Sequence, residues 1–315
     1  MKLNKIILLS IIFLNILYGN NFDEAVELYE QKEYKKAYEI FVELAKDDNT
    51  KAQFNLAQMY QNGNGTDKNY FQSFFWLEKA SVSKDPRVLN NLAYYYENGL
   101  GTDKNKKLAM KLYEESANKG YFVAQFNLAM LYEKFTFDKE FLSKAFNLYE
   151  KSAKKGFIPA QNNLARLYYF GIGVEKDLEK AFYWYKKAAE VDEDVAAFNL
   201  ALMYYNGEGT KRDYDKTLYW LNISAKKGNK FAQTQLADFY RSGKVLSQSY
   251  EEAFFWYFEA AANNYGKAQY YVGLFYYEGY GVEKDEEKGL FWMNKSKENN
   301  YVFAKTFFER LNSNN

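Results

Sequence analysis

The sequence contains no histidine and no cysteine, and only two of its 315 residues are proline. Without histidine or cysteine there can be no Ser-His-Asp or Cys-His nucleophile system and none of the usual zinc ligand sets. Disulfides are excluded as well, so stability has to come from apolar burial, each buried Leu or Tyr contributing about 1.5–3 kcal/mol. Neither sign of charge dominates, with 42 basic residues against 41 acidic ones. No basic stripe is left to neutralise a phosphate backbone, which excludes nucleic acid as the expected partner. Long apolar runs are also missing except at the N-terminus, where Ile6 to Leu17 follows Lys2 and Lys5 and includes only Ser10 and Asn15 as polar residues. That run is short for a membrane span and reads as a secretory signal peptide over residues 1–19, cleaved after Gly19, with an uncleaved anchor as the alternative. Removing it leaves 40 basic residues against 41 acidic ones. A periplasmic or secreted protein with no stable membrane insertion after cleavage is therefore expected, and the missing cysteine excludes an acylated lipoprotein.

What is present is a 36-residue period. Leucine falls at Leu56, Leu92, Leu128, Leu164, Leu200 and Leu236, and the next residue is small each time, from Ala57 through Ala165 to Ala237 and then Gly273. Four residues past the leucine stands a tyrosine, from Tyr60 to Tyr276. All five tryptophans, Trp76, Trp184, Trp220, Trp256 and Trp292, share one phase. Such self-similarity specifies a stack of units, each burying an apolar face on its neighbours, and not one globular core.

Each period reads as two antiparallel helices. Ala160, Leu164, Ala165 and Tyr168 form one apolar stripe at helical spacing, and Ala181, Trp184, Tyr185, Ala188 and Ala189 form the other. Between them lies Gly171-Ile172-Gly173, a turn that recurs at 63/65, 99/101, 207/209 and 279/281. Glycine there can end a helix in the left-handed conformation. Asn69, Asn105, Asp177, Asp213 and Asp285 then supply the short polar side chain that caps the second helix. The small residue after the leucine marks where two helix backbones approach, with the second-helix aromatic filling the space beside it.

The pattern A-x3-L-[AG]-x2-Y-x2-G-x-G-[VT]-x3-D-x3-A-x2-W-x3-A-A-x2-G resembles the SEL-one-like repeat (SLR), a relative of the tetratricopeptide repeat, over about residues 52 to 311. The resemblance implies an all-α fold: an α/α solenoid, a right-handed superhelix of about eight antiparallel helix pairs, of the exported bacterial type. It also implies a scaffold or adaptor for other proteins. Two turns depart from the pattern. The third has Phe135 and Phe137 in place of both glycines, and the sixth keeps only Gly243, so both are candidate places for a bend or a bound partner. Exported members are often cysteine-rich, which this chain is not.

Residues 21–48 read as a tetratricopeptide-like capping helix pair, residues 52–300 as seven repeats, and residues 301–315 as a capping helix and tail. No cofactor or metal motif rises above the repeat. Exported relatives have been named for β-lactam binding, which makes Ser-x-x-Lys at Ser81/Lys84, Ser116/Lys119, Ser152/Lys155 and Ser224/Lys227 an enzymatic candidate. Three of these share the repeat phase, no SDN or KTG element accompanies them, and they read as consensus. The alternatives to a scaffold are thus a cell-wall-directed or β-lactamase-like activity, or a purely structural envelope factor. The best functional lead is the residue before the leucine: Asn55, Asn91, Asn127, Asn163, Asn199 and Gln235. By resemblance to tetratricopeptide arrays it faces the concave groove, where amides either hydrogen-bond an extended peptide or brace neighbouring helices. Phe54, Phe126, Phe198 and Tyr270 are expected on the same face. Partner and oligomeric state stay open.

Overall fold

The computed structural model describes residues 21–135, 138–191 and 193–313. Every regular element among them is helical, and the chain is an all-α solenoid of helix pairs divided into two compact units at Lys155/Gly156. Unit 1 holds α1 (residues 21–30), α2 (Tyr34–Lys46), α3 (Thr50–Asn62), α4 (Tyr70–Ala80), a 3-10 turn (Ser81–Ser83), α5 (Pro86–Asn98), α6 (Lys106–Asn118), α7 (Phe122–Phe135) and α8 (Lys139–Lys154). Unit 2 holds α9 (Ile158–Phe170), α10 (Leu178–Ala189), α11 (Asp194–Asn206), α12 (Tyr214–Lys226), α13 (Lys230–Ser242), α14 (Tyr250–Ala262), α15 (Gly266–Glu278), α16 (Glu286–Glu298) and α17 (Val302–Ser313). Among the described residues no helix is long and apolar enough to cross a membrane. The segment read as a signal peptide lies outside them.

From α3 on, odd-numbered helices are the first of a pair and even-numbered ones the second. Within each unit a first helix packs on its own second helix, and that second helix packs on the next first helix. The recurrent leucines are at most 5% exposed and the small residues after them are fully buried. Opposite the small column stands a second one on the even helices: Ser73, Ala109, Ala145, Ala181, Thr217, Ala253 and Gly289, all buried. In unit 1, Ser73 Oγ donates to the Ala57 carbonyl at 2.7 Å. In unit 2, a Cβ added at Gly273 would lie 2.6 Å from Met293 Cγ and 2.8 Å from the Gly289 carbonyl oxygen. The α15/α16 crossing is close enough to admit only glycine at both positions.

The tryptophans are not the innermost side chains of the second helices. Full burial falls one residue later, at Leu77, Tyr113, Tyr149, Tyr185, Leu221, Tyr257 and Met293, while the tryptophans are half-buried. Each tryptophan is preceded by an exposed ring set edge-on against it, Phe75, Tyr183, Tyr219, Phe255 or Phe291.

The helix ends follow local chemistry. Asn69, Asn105, Asp177, Asp213 and Asp285 each accept a hydrogen bond from backbone N–H groups in the first turn of the helix they precede. Gly171 and Gly173 have φ of 71° and 68°. The second glycine of a turn has a further reason to lack a side chain. A Cβ on Gly101 would sit 2.2 Å from the carbonyl oxygen of Tyr70, the first residue of α4, and one on Gly281 would sit 2.3 Å from the carbonyl carbon of Tyr250, the first residue of α14. The turns at Gly65 and Gly101 in unit 1 and at Gly209 and Gly281 in unit 2 therefore rest on the start of the preceding even helix, tying consecutive pairs of a unit together through backbone. The sixth turn has Val245 instead and packs it, with Leu246, against the core around Leu221 and Leu236. Residues 136 and 137 of the third turn lie outside the described residues.

Two further columns of buried polar side chains lock the helices, the glutamines from pair to pair and the serines within a pair. Gln53, Gln125, Gln233 and Gln269 donate through Nε2 to the carbonyls of Ala45, Ala117, Ala225 and Ala261, near the C-terminal ends of the preceding even helices. Those carbonyls lie where helix geometry leaves acceptors without an intrahelical partner. Ser116, Ser152, Ser224 and Ser296 donate at 2.6–2.7 Å to the first carbonyl of the odd helix of their own pair, at Pro86, Phe122, Asp194 and Gly266. The first three are the serines of the in-phase Ser-x-x-Lys matches. They are fully buried.

Candidate functional site

The odd helices of each unit form one face, and the surface side chains on it come from three repeat positions. The first runs Lys51, Arg87 and Val123 in unit 1 and Pro159, Val195, Phe231, Lys267 and Phe303 in unit 2. The second is the amide column. The third runs Gln58, Tyr94 and Met130 in unit 1 and Arg166, Leu202, Asp238, Leu274 and Arg310 in unit 2. Tyr94, Met130, Phe231 and Phe303 are 45%, 47%, 47% and 59% exposed.

The amides divide by unit. In unit 1, Asn55 lines both a cleft of about 650 Å³, shared by α1, α3 and the start of α5, and a smaller one of about 280 Å³ walled by Tyr29 and Phe41. Asn91 and Asn127 are joined through Asn90: Asn127 Nδ2 donates to Asn90 Oδ1 at 2.9 Å, and Asn90 Nδ2 lies 3.3 Å from Asn91 Oδ1. These amides brace α5 against α7. In unit 2, Asn163, Asn199 and Gln235 are half-buried on α9, α11 and α13. Asn199 lines a cleft of about 170 Å³ beside the Tyr169–Glu208 hydrogen bond of 2.9 Å.

The four aromatics expected on this face do not share one fate. Phe54 is only 8% exposed and belongs to the core with Leu77 and Leu92, and the Arg87 guanidinium of the next repeat lies over its ring at 5.7 Å. It floors the 650 Å³ cleft and does not stand free in a groove, which corrects the expectation. Phe126 turns inward against the buried Tyr149, 5.7 Å between centroids. Phe198 and Tyr270 instead abut exposed rings, Phe231 at 6.1 Å and Phe303 at 6.3 Å.

Charge on the face is set where it meets the buried tyrosines. In unit 1, Tyr113 and Tyr149 donate their hydroxyls to Glu97 and Glu133 at 3.1 and 2.8 Å. In unit 2, Tyr257 donates to Asp238 Oδ1 at 2.5 Å and accepts from Arg241 Nε at 3.1 Å, while Lys267 Nζ reaches Asp238 Oδ2 at 2.7 Å. Burial pushes the Tyr113 and Tyr257 phenols up, and the neighbouring carboxylates push them further, so they remain protonated donors at neutral pH. At the 650 Å³ cleft, the Arg87 side chain holds the Asp85 carboxyl below its ordinary range. Among the described residues no cluster of three or more His, Cys, Asp or Glu could hold a metal ion. Sequence reasoning missed the glutamine column, the carbonyl bonds of the in-phase serines and the tyrosine–carboxylate pairs. The glutamines do recur in phase at 53, 125, 161, 233 and 269, a signal that was available.

The Sel1 repeat family model matches residues 50–81, 86–121, 123–136, 138–157, 158–192, 194–229, 230–265 and 266–301. The third and fourth segments divide one period at the glycine-free turn. Among solved structures, a protective antigen of uropathogenic Escherichia coli with an SLR fold is 27% identical with a TM-score of 0.77, over 93% of this chain and 65% of that one. This chain therefore spans just under two thirds of that protein. A Sel1 repeat protein of Oxalobacter formigenes is 25% identical with a TM-score of 0.73, over 94% of this chain and 89% of that one. None of the curated proteins matches the chain.

Proposed function

Since the chain belongs to the Sel1 repeat family, whose solenoids commonly serve as protein-interaction scaffolds, we propose that it is a scaffold that binds protein or peptide partners on the odd-helix faces of its units. The observation that carries this reading is the exposure of Tyr94 and Met130 on the odd helices of unit 1 and of Phe231 and Phe303 on those of unit 2. Large apolar side chains left in water at repeated positions mark interaction surfaces. The buried in-phase serines of Ser-x-x-Lys spend their hydroxyls on backbone carbonyls, which supports the scaffold over hydrolysis at those positions. The chain acts in the periplasm or outside the cell, with residues 1–19 as the export signal. A mature N-terminus at Asn20 in the purified native protein checks that part.

The test of binding is capture from an envelope extract by the full mature chain, compared between two variants. One carries Tyr94→Ser, Met130→Ser, Phe231→Ser and Phe303→Ser; the other carries Phe75→Ser and Tyr219→Ser on the even helices. Loss of the captured protein only in the first variant is expected. Loss only in the second would move the binding surface to the other face and overturn the reading.

A further inference from the structure

One part of the odd-helix face of unit 2 has a chemistry of its own. Rings from α13, α15 and α17, together with the turns that lead into the last two, form linked contacts: Phe231 to Tyr265 at 5.2 Å, Tyr270 to Tyr301 at 5.6 Å, and Tyr301 to Phe303 at 5.5 Å. Set among them are four basic side chains. Lys230 Nζ lies 5.7 Å from the centroids of both Phe231 and Tyr265, and the Arg241 guanidinium lies 4.9 Å over Tyr271. Lys267 reaches Asp238, and the positive charge of Arg310 acts on the Tyr270 hydroxyl. Against them stand Asp238 and, on the flank toward α11, Asp194, which accepts from Asn229 Nδ2 at 3.0 Å. Four bases and two acids leave a surplus of two positive charges.

Two of these cations, Lys267 and Arg241, are also less hydrated than the chain's other paired lysines. The Lys267 and Arg241 side chains are 31% and 37% exposed, whereas Lys180, Lys216 and Lys288 are 59%, 57% and 63% exposed. A partly desolvated cation favours an anionic partner more than a solvated one does, because the hydrogen bond it makes is charge-assisted in a medium of lower dielectric. Phe231 and Phe303 stand exposed on either side of Lys267, one period before and after it. They offer apolar contact on both sides of the charge.

We propose that this surface binds an acidic peptide segment carrying an apolar or aromatic residue, its carboxylates on Lys267, Arg241 and Arg310 and its apolar side chain against Phe231 or Phe303. This rests on the scaffold reading and narrows it to a partner chemistry. A single-stranded nucleic acid would also stack on rings among cations. It is disfavoured because a phosphate backbone needs a basic track, and here Asp238 sits in the middle of the cations while the chain as a whole is balanced.

The test is fluorescence anisotropy of the full mature chain with three labelled probes: the peptide Asp-Glu-Phe-Glu-Asp-Glu-Phe-Glu, the same peptide with Lys and Arg in place of the acids, and an oligothymidylate. The acidic peptide is expected to bind, to weaken as salt rises from about 50 mM to about 300 mM, and to lose about tenfold or more in affinity with Lys267→Met or Phe303→Ser. Arg310→Gln, on an exposed side chain, guards against a folding artefact by giving a smaller loss with unchanged helicity. Lys111→Ala, exposed on the even helix α6 of unit 1, should leave the affinity unaltered. Equal binding of the basic peptide, or tighter binding of the oligothymidylate, overturns the inference. If the acidic peptide fails while the odd-helix face still captures a partner from extract, the scaffold reading stands and this one falls.

Discussion

The two units place the same buried tyrosine in different electrostatic company. Tyr113 and Tyr149 of unit 1 point their hydroxyls at Glu97 and Glu133. In unit 2 the corresponding position one helix over is Arg241, and Tyr257 accepts from it while donating to Asp238. A phenol both donates and accepts, so one core residue serves a neighbour of either sign without repacking. The consequence is that charge on the odd-helix face can be exchanged from repeat to repeat while the seams between helices stay constant. Unit 1 uses that freedom for carboxylates and a braced amide ladder, and unit 2 for a cationic, aromatic surface.

The largest break in this comparison should come from Arg241→Glu, which puts the acid of unit 1 beside Asp238 and Tyr257. Its guanidinium is only partly exposed, and replacing an attraction by a repulsion there should cost about 3 kcal/mol, read as a lower urea midpoint. An unchanged midpoint would mean that the position tolerates either sign whatever surrounds it. Next comes the shared frame. Ala93→Leu in unit 1 and Ala165→Leu in unit 2 both overpack fully buried helix contacts and should each cost about 2 kcal/mol; strongly unequal losses would show that the seams of the two units differ after all. Tyr113→Phe removes a hydroxyl that donates to the Glu97 carboxylate and should cost about 1.5 kcal/mol, and the cost should vanish when Glu97→Met, which removes the acceptor, is already present.

The smallest effect expected is at the Asp85 cap of α5, which accepts from Arg87 N–H at 2.8 Å and pairs with the Arg87 side chain. Asp85→Ala should cost about 1 kcal/mol at neutral pH. The hydrogen bond from Arg87 lowers the Asp85 pKa from its ordinary 3.8. The stability it gives is thus complete above that value and is lost as pH falls through the depressed one. Wild type and variant should converge only in strong acid, a trend that thermal midpoints across pH can follow.

The helix pairs and their seams were legible in the sequence because they recur. A leucine followed by a small residue, a glycine turn and a capping Asn or Asp carry local physical meaning, and repetition every 36 residues separates them from coincidence. The candidate site was legible only as a set of positions. Phe54, Phe126, Phe198 and Tyr270 occupy one phase, yet Phe54 lies under Arg87 and floors a cleft while Tyr270 joins an open aromatic cluster with Phe303. What decides is a side chain of the next repeat, which no single repeat records. Tyrosine was likewise hidden behind tryptophan. A helical stripe identifies an apolar face, but a rotation of one residue decides which ring is sealed, and Tyr113 is sealed where Trp184 is not.

The sequence by itself determined the family, the helix pairs and the spacing at which they pack, since backbone propensity, capping and close approach are local and repeat with the chain. Tertiary structure alone decided which amides brace, which serines are spent on carbonyls, and where unit 2 gathers Lys267, Arg241 and the rings around Phe303. Those outcomes depend on side chains about 30 residues or more apart meeting across helices, and their energies come from burial and charge at a place that exists only once the pairs are stacked.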